Sequence, residues 1–443
     1  MDRQSSVCYV AAMTKTSTVC GIDFGTSNSA IAIARDGATE LVPVEGAHTT
    51  IPSAIFFPAH GEKPLYGRSA IAAYSIHEPG RLLRSLKSIL GSELMIEKTA
   101  VGGKYQSFED ILVGYVRHLK AKAEAHAGCK IAHVVMGRPV HFVDDNAAVD
   151  ARAEAKLGDI ARQAGFKSVA FQYEPIAAAL SFEHTLKTDE LVFISDIGGG
   201  TADFSIVQVG PIRRAKAKRA DDILANDGIR VGGTNLDMRL SLAAVMPHLG
   251  SHAKNLKGRD LPRWPFVDLA TWHRIHTIAT PKNLHTLQQI YSDCAEPEIF
   301  ARYLEIIRQQ SGHLLAGSVE QAKIDLSARD DVAIDLAETV PGVAVSTTTT
   351  QFNGAISREL ERIAETISAT LSAAGQRGSD VTTLFLTGGT SAVPAVKNLL
   401  LSLLPQATCI EGDLFNSVGF GLALEAKRRH AVGKSTKRWK SGE

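Results

Sequence analysis

Two short segments of the 443-residue chain place an aspartate, glycines and a threonine in the same order. The first reads Asp-Phe-Gly-Thr at residues 23–26, and the second reads Asp-Ile-Gly-Gly-Gly-Thr at residues 196–201. Glycine lets backbone N–H groups approach an anion in conformations that a side chain would forbid, and a threonine hydroxyl adds a further donor. Two such turns facing each other would hold a polyphosphate from both sides.

The acidic residues of these segments require a cation if phosphate is bound. Phosphates beside Asp23, Asp196 and Asp203 are repelled unless a positive ion intervenes, and Mg²⁺ favours carboxylates, phosphate oxygens and retained waters. For either segment alone, a plain turn built from Asp and Gly is the competing interpretation. The repeated pair, together with Thr-Gly-Gly-Thr-Ser at residues 387–391, favours nucleotide binding.

Apolar runs flank both segments and predict strands. Residues 19–24 and 30–34 enclose the first segment, and residues 191–196 and 204–209 enclose the second. Each pair is therefore expected to form a β-hairpin. Because the same strand–turn–strand pattern occurs twice, the sequence indicates two similar lobes.

The remaining pattern is mixed α/β. A third apolar strand over residues 384–386 leads into the glycine turn at residues 387–391. Helices are expected to dominate residues 234–327, and apolar spacing predicts one long helix over about residues 298–326. His273, His276 and His285 lie in this helical region, but they have no Cys or carboxylate partner at ligand spacing, so no metal site is expected there.

The composition and the missing motifs disfavour several classes of protein. A net charge of +1 lacks the basic excess of a dedicated nucleic-acid binder, and no run approaches 18 apolar residues, so no membrane span is expected. Five scattered cysteines form no C-x-x-C pair, which indicates reduced thiols in a cytoplasmic protein. The chain has no P-loop, no strand-linked G-x-G-x-x-G, no H-E-x-x-H and no G-x-S-x-G.

Taken together, the motifs resemble the heat shock protein 70 (DnaK-type) family of the actin, hexokinase and heat-shock ATPase superfamily. The matching segments, in chain order, are residues 21–28, 173–179, 196–203, 231–237 and 384–394. The resemblance covers about residues 19–427. The amino-acid sequences at residues 137–142 and 171–175 are similar to those of the short YegD-like branch of chaperone-like proteins, which resembles only the ATPase part of the family.

The resemblance implies an α/β, two-lobed actin-like ATPase fold, with duplicated ribonuclease-H-like lobes, a central nucleotide cleft and no peptide-binding domain. The expected parts are a flexible N-terminus (1–18), lobe I (19–187), lobe II (188–412) with a helical insertion at about 234–330, a final helix returning to lobe I (413–429) and a basic tail (430–443). Met13 is an alternative start, since the ordered pattern begins only at about residue 19.

The resemblance also implies roles for individual residues. Asp23 and Asp196 would hold Mg²⁺, largely through its waters, while Glu174 and Asp203 would orient the attacking water. Lys87 falls where the family's water-positioning lysine lies, although an exposed lysine on an amphipathic helix is the alternative. The nucleotide would contact the turn residues and two side chains of the long helix, namely Gly25, Thr26, Ser27, Asn28, Gly198, Gly199, Gly200, Thr201, Gly232, Gly233, Glu320, Lys323, Gly388, Gly389 and Thr390.

Three departures from the family pattern bear on activity. Ile324 stands where the family has an arginine that stacks on adenine, so cation–π attraction is lost. Thr234 replaces a family glutamate. Phe415 stands where an acidic residue is usual, with Asp413 close by. These differences favour nucleotide binding over fast hydrolysis.

The expected function is Mg²⁺-dependent binding and hydrolysis of ATP to ADP by a chaperone-like protein that consists only of the ATPase module. Protein partners or clients are expected but not identified, and the sequence does not indicate the oligomeric state. Two other functions stay open, namely a nucleotide-binding scaffold with little turnover and a small-molecule kinase of the same superfamily. An actin-like polymer former is a further alternative, which filament growth with ATP would reveal.

Overall fold

A computed structural model describes residues 18–35, 37–76, 78–144, 146–183, 186–214, 220–411 and 416–435. Several sequence predictions fall elsewhere. Met13, Asp413 and Phe415 lie outside the described residues, and so do the N-terminal segment before residue 18 and the basic tail from residue 436 onward.

Strands are distributed over both halves of the described chain. The first half contains β1 (Val19–Phe24), β2 (Asn28–Arg35), β3 (Ala38–Leu41), β4 (Thr50–Pro52), β5 (Ala54–Pro58), β6 (Leu65–Tyr66), β7 (Gly80–Arg84), β8 (Lys98–Val101), β9 (Lys104–Ser107), β10 (His133–Arg138) and β11 (Ser168–Tyr173). The second half contains β12 (Glu190–Ile197), β13 (Ala202–Val209), β14 (Ile223–Ile229), β15 (Asp331–Ile334), β16 (Val345–Thr348), β17 (Thr383–Thr387) and β18 (Thr408–Glu411).

Helices cover the sheets and fill the segment after residue 233. They are α1 (Gly67–Ser75), α2 (Phe108–Ala127), α3 (Ala147–Gln163), α4 (Glu174–Phe182), α5 (Pro211–Arg214), α6 (Gly233–Leu240), α7 (Trp264–Ala270), α8 (Ile275–Ile278), α9 (Pro281–Asp293), α10 (Pro297–Arg308), α11 (Gly312–Asp325), α12 (Thr349–Ala355), α13 (Ser357–Ala373), α14 (Pro394–Leu403) and α15 (Ser417–Ser435). None of the helices in the described part of the chain has the length and apolar character needed to cross a bilayer.

The two main sheets have the same strand order. The first runs β3-β2-β1-β10-β11, with β4 beside β2, and the second runs β14-β13-β12-β17-β18. In each sheet the first three strands pair in antiparallel fashion, and the last two join in parallel. The hairpin β1–β2 therefore corresponds to β12–β13. The predicted duplicated α/β architecture of an actin-like ATPase fold is confirmed.

Each sheet has its own hydrophobic core, and a third core joins them. The central strands are nearly continuous apolar runs because helices cover both sheet faces. Between the sheets, α4 and α15 contribute buried residues such as Ile176 and Leu422, which cluster with Val135 of the first sheet and Val192 of the second. These two helices thereby fix how the hairpins of the two lobes approach each other.

The single long helix predicted over residues 298–326 is wrong. The chain forms α10 and α11 instead, with a break at residues 309–311, where Gln310 adopts a φ of 54°. This left-handed conformation is uncommon for a residue with a side chain, and a contact from the first lobe stabilises it, since the Tyr74 hydroxyl donates to the Gln310 carbonyl. Because the break depends on a distant tyrosine, the apolar spacing of the sequence could not reveal it.

Candidate functional site

The first glycine turn connects β1 to β2 and is held in place by one serine. The Ser53 hydroxyl donates to the Gly25 carbonyl at 2.7 Å, and the Ser53 N–H donates to the Ser27 carbonyl at 2.8 Å. Asn28 opens β2 directly after the turn. Among the hydrogen bonds of the described residues, none uses the backbone N–H of Thr26 or Ser27. The turn is therefore fixed through its carbonyls while its donors stay available.

The second glycine turn, between β12 and β13, is anchored by the remaining motifs. The Gly198 N–H donates to the Thr201 carbonyl at 3.0 Å, which closes the turn. The Gly198 carbonyl accepts from the Gly233 N–H at 2.9 Å and from the Thr390 hydroxyl at 2.8 Å. Three predicted nucleotide motifs, which span 192 residues of sequence from Gly198 to Thr390, therefore meet at this turn.

Thr234 also supports the second turn. Its N–H and its hydroxyl both donate to the Gly199 carbonyl, at 2.8 and 2.7 Å. Within the described residues, the backbone N–H groups of Gly199 and Gly200 take part in no hydrogen bond. The departure at Thr234 is thus accommodated structurally, because the threonine fixes the turn from behind and leaves its donors free.

The two turns lie directly against each other. A Cβ atom added to Gly199 would lie 2.1 Å from the Ser27 Oγ, and one added to Gly200 would lie 2.5 Å from the Thr26 Oγ1. The Ser27 and Thr26 Cβ atoms also lie within 3.1–3.2 Å of these added Cβ atoms, so a side chain at either glycine would crowd the opposite turn even after the hydroxyls rotate. Both turns therefore border one crevice, and unpaired N–H groups line it from the two lobes.

Five ionisable side chains converge beside the turns. Asp23 lies near the end of β1, just before the first turn. Asp196 and Asp203 flank the second turn, and Glu174 is the first residue of α4. The Lys87 ammonium lies 2.5 Å from Glu174 Oε1. Lys87 is 7% exposed and lies in a short 3₁₀ turn, Leu86–Ile89, after β7. The alternative interpretation of Lys87 as an exposed lysine on an amphipathic helix is wrong.

Burial and mutual repulsion shift the pKa values of this cluster. Burial, and then the charge of Glu174, raises the pKa of Asp23 and of Asp203 to about 7, and the same causes raise the pKa of Asp196 well above its ordinary value. Burial alone would lower the pKa of Lys87, but the charges of Glu174 and Asp23 outweigh it and raise the pKa. One ammonium does not neutralise these carboxylates, so the site favours an additional cation.

Asp203 is fixed by a loop that sequence reasoning did not include in the site. The Val140 N–H donates to Asp203 Oδ1 at 2.5 Å, and the Thr201 side chain gives a further hydrogen bond. The second oxygen, Oδ2, is buried and has no partner among the described residues. Val140 follows β10, which is the counterpart of β17 in the duplicated sheet, so the repeat itself was the signal that could have identified this loop.

The residues present fit a triphosphate with a divalent cation. Free N–H groups on both turns suit phosphate oxygens, and an orphaned carboxylate oxygen in a crowded acidic cluster suits a cation or its water. In the described part of the chain, no three His, Cys, Asp or Glu side chains are arranged to hold a metal by themselves. A cation here would therefore take most of its ligands from phosphate and water, which is how Mg²⁺ is usually bound in nucleotide sites.

The comparison with protein families supports the same assignment. The family model described as Hsp70 protein matches residues 19–241 and 308–429, which together make up well over half of the chain. The chain belongs to the Hsp70 family. Membership supports an ATP-binding, chaperone-like function in general. The match leaves residues 242–307 uncovered, and this segment includes α7, α8, α9 and all of α10 except its last residue.

The third glycine turn of this Hsp70 chain borders the acidic cluster. Gly388 has a φ of 77°, and a Cβ added there would lie 2.4 Å from the Ile197 carbonyl oxygen and 2.7 Å from Asp196 Oδ1. Gly389 opens the following 3₁₀ turn, Gly389–Ala392. Both the positive φ and the close approach require glycine here. The structure thus brings the 388–390 turn to the side of the crevice where Asp196 lies.

Lys323 forms an ion pair with a buried aspartate, Asp237, which was not among the predicted site residues. Its ammonium lies 2.7 Å from Asp237 Oδ1 and 3.5 Å from the Gly233 carbonyl oxygen. The Trp272 indole N–H donates to the other Asp237 oxygen at 3.2 Å. Lys323 therefore stabilises the 232–233 turn from below. Ile324, by contrast, is 53% exposed.

Glu320 takes part in a contact between the lobes. The guanidinium of Arg84, at the end of β7, lies 3.4 Å from Glu320 and stacks over the Trp272 ring at 4.0 Å from its centre. Arg84 belongs to the first lobe, whereas Glu320 on α11 and Trp272 belong to the second. The predicted ribose-contacting glutamate thus lies at the closure between the lobes, next to the Lys323 pair.

Proposed function

We propose that this Hsp70-family chain binds ATP together with Mg²⁺ in the crevice between the two glycine turns and hydrolyses it slowly to ADP and phosphate. The observation that supports this most is the approach of Gly199 and Gly200 to Ser27 and Thr26. Two opposed rows of unpaired N–H groups match a chain of phosphates that carries negative charge along both sides.

The turns would hold the phosphates in place. The N–H groups of Thr26 and Ser27 would donate from the first lobe, and those of Gly199 and Gly200 would donate from the second. The turn carbonyls are already bonded to Ser53, Gly233, Thr234 and Thr390. Because the donors are fixed before the ligand arrives, little reorganisation is required on binding.

Asp23 and Asp196 would hold Mg²⁺, through its water molecules for the most part. When bound, the cation would neutralise phosphate charge and relieve the repulsion among the carboxylates. Both aspartates lie beside a glycine turn, one from each lobe, so the acidic side chains would approach the same region of the bound phosphates.

Lys87, Glu174 and Asp203 would direct the reaction. The Lys87 ammonium, held by Glu174, would position a water molecule for in-line attack on the γ-phosphate. Asp203 Oδ2 is a free acceptor, and its other oxygen is fixed by the Val140 N–H, so Oδ2 would accept a hydrogen bond from that water. Water adds to phosphorus as the bond to the β-phosphate oxygen breaks, and no covalent enzyme intermediate forms.

The adenosine would lie between the 388–390 turn and α11. Gly388, Gly389 and Thr390 would approach the ribose and the α-phosphate, and Glu320 would accept from the ribose hydroxyls. Lys323 would act mainly by holding Asp237 and the 232–233 turn. The exposed Ile324 would cover one face of the base by apolar contact alone.

We propose that residues 19–187 form lobe I and residues 188–412 form lobe II of the ATPase module. The packing of α15 against β1, β2, β10 and α4 supports a final helix that returns to lobe I. Closure of the lobes over nucleotide would report its state to a protein partner through an exposed lobe surface. A cytoplasmic location accords with the free thiols of Cys20, Cys129, Cys294 and Cys409.

The test is ATP binding and single-turnover hydrolysis by the intact chain, with and without Mg²⁺. The proposal predicts one bound ATP per chain, tighter with Mg²⁺, and slow release of phosphate. Stoichiometric binding without phosphate release would favour the nucleotide-binding scaffold, and phosphate transfer to an added metabolite would favour the kinase. Absence of saturable ATP binding would contradict all three.

A further inference from the structure

A large cavity lies between the lobes, away from the glycine turns. It has a volume of about 930 Å³ and is lined from the first lobe by the β7 strand and the β8–β9 hairpin, and from the second by α8 and the α10–α11 break. Phe57, Leu82, Phe108, Ile275, Ile278 and Ile306 form apolar parts of its wall. None of the turn residues at 25–28, 198–201 or 388–390 lines it. The cavity has the size and the largely apolar wall that are typical of small-molecule sites.

The second-lobe wall comes largely from the part of the chain that the family model does not match. Residues 275–281, 306 and 307 line the cavity and fall within 242–307, which the match leaves uncovered. The nucleotide turns, by contrast, all lie within the matched ranges. The unmatched residues thus contribute to this cavity, whereas Arg81 and the rest of the first-lobe wall lie within the matched ranges.

Two cations that line the cavity form no ion pair with a described side chain, namely the exposed Lys98 and the half-buried Arg81. The guanidinium of Arg81, on β7, is half-buried and donates to the Ala100 carbonyl at 2.9 Å. Burial lowers its pKa, and no carboxylate among the described side chains forms an ion pair with it. Glu78 and Glu97 also line the cavity, with Glu97 exposed to solvent. A partly desolvated guanidinium without an acidic partner favours an anion supplied by a ligand.

Two imidazoles complete the polar part of the lining. The His276 ring packs against Phe108, with 5.5 Å between ring centres, and the His313 ring lies 5.9 Å from Trp272. Burial, and then the nearby arginines, lowers the pKa of both histidines to about 3. Both are therefore neutral at pH 7, so Arg81 supplies positive charge while the imidazoles offer uncharged hydrogen-bonding groups.

We propose that this cavity binds a small organic anion, with one carboxylate or phosphate group paired to Arg81 and an apolar body packed against the second-lobe wall. The negative group would thus be held by the first lobe and the apolar body by the second. Such a ligand binds the closed arrangement better than an open one. Because the ligand favours the closed arrangement and nucleotide leaves through the open one, the ligand should slow the release of nucleotide from the crevice between the glycine turns.

Octanoate is the test ligand, because it carries one carboxylate on an apolar chain. Its binding is measured by displacement of the fluorescent anion 8-anilinonaphthalene-1-sulfonate from the intact chain, with Mg²⁺ and saturating ADP present to occupy the nucleotide crevice. Octanol supplies the apolar body without the charge, and inorganic phosphate supplies charge without the body. We expect saturable displacement by octanoate and much weaker displacement by the two others.

Three variants locate the site. Arg81→Gln should weaken octanoate binding by about tenfold or more, since a hydrogen-bonded charge partner is lost, while ADP affinity stays unchanged and reports an intact fold. Arg81→Lys should restore most of the affinity. Lys104→Gln, which removes an exposed charge on β9 outside the cavity, should have no effect.

The coupling is measured as the rate of ADP dissociation. Saturating octanoate should slow it severalfold in the unmodified chain and in Lys104→Gln, but not in Arg81→Gln. No saturable octanoate binding, equal binding of octanol, or equal binding by Arg81→Gln would each overturn the proposal. These outcomes are distinct from failure of the ATPase, which phosphate release reports separately.

Discussion

The Lys87 ammonium lies 2.5 Å from Glu174 Oε1, and both side chains are more than nine-tenths buried. The two residues are 87 positions apart in sequence. Lys87 comes from a 3₁₀ turn at the edge of the first lobe, and Glu174 opens α4 between the lobes. The carboxylates of Asp23 and Asp203 reinforce the positive charge on Lys87. This pair brings a fixed ammonium to the acidic cluster where the proposed water would attack.

Removing the ammonium should separate binding from hydrolysis. Lys87→Ala should keep its affinity for Mg·ATP, because the glycine turns supply the phosphate donors, while hydrolysis falls by about 100-fold or more with the loss of a positioned charge. Equilibrium binding and single-turnover phosphate release measure the two effects.

A second buried Lys–Glu pair provides the matched control for that variant. Lys120 pairs with Glu124 on α2, and its ammonium lies over the Phe166 ring in the first lobe. Lys120→Ala should destabilise the fold, as loss of one member of a buried pair does, yet keep the normal rate of hydrolysis per bound ATP. Normal turnover by Lys87→Ala would contradict the assignment of Lys87.

Adding a methyl group between the two glycine turns should weaken ATP binding. Gly199→Ala places a Cβ 2.1 Å from the Ser27 Oγ and 3.1 Å from the Ser27 Cβ. Rotation of the hydroxyl relieves only the first contact, so the turns should shift and ATP affinity should drop by about tenfold, which corresponds to about 1.4 kcal/mol. Gly317→Ala is the control, because its Cβ meets nothing within 4 Å in α11. It should leave binding intact and stabilise the helix by up to about 1 kcal/mol. Equal ATP affinity in both variants would contradict a role for the Gly199–Ser27 contact in binding ATP.

Neutralising one aspartate should change how binding depends on the metal. Asp196→Asn should lower Mg·ATP affinity by about 10–100-fold. In EDTA the same variant should bind ATP at least as well as the unmodified chain, because one repelling carboxylate is gone. Calorimetric titrations with and without EDTA measure both effects. Asp159→Asn, which changes an exposed residue of α3, is the control, and an unaltered metal dependence in Asp196→Asn would count against a cation site there.

Acid should lower the free energy of unfolding of the chain through His313. Its pKa is lowered from 6.5 to about 3, so the unfolded chain takes up a proton first as the pH falls. The free energy of unfolding is therefore unaffected by protonation of His313 above pH 6.5 and falls by about 1.4 kcal/mol per pH unit below it. The loss amounts to about 2 kcal/mol at pH 5. His313→Gln should reduce the difference in unfolding free energy between pH 7 and pH 5 by about that amount. Urea titrations at both values provide the measurement, and an identical difference in the variant would exclude this role.

Local sequence was sufficient for the hairpins and their glycine turns. An apolar run, an acid, small turn residues and a second apolar run determine such a hairpin within one short stretch of chain, and the β1–β2 and β12–β13 hairpins formed where they were expected. The duplication was visible for the same reason, since both copies kept the acid and the glycines. Family membership, through the order of these motifs, extended the prediction to the architecture.

The parts that were missed depend on contacts between distant segments. The Val140 N–H reaches Asp203 only because two lobes pack together, and no spacing within residues 137–142 indicates that contact. Asp237 was visible in a motif, but its pairing with Lys323 and Trp272 joins two separate helices and the turn between α7 and α8. Likewise, the break at Gln310 follows from the hydroxyl of Tyr74 in the other lobe.

The most direct test of the central claim is a crystal structure of the chain with Mg²⁺ and a non-hydrolysable ATP analogue. The account predicts one triphosphate in the crevice, with its oxygens bonded to the N–H groups of Ser27 and of Gly199 at the same time, and with the cation on the side of Asp23 and Asp196. A nucleotide bound to one turn alone, or located in another part of the molecule, would contradict it.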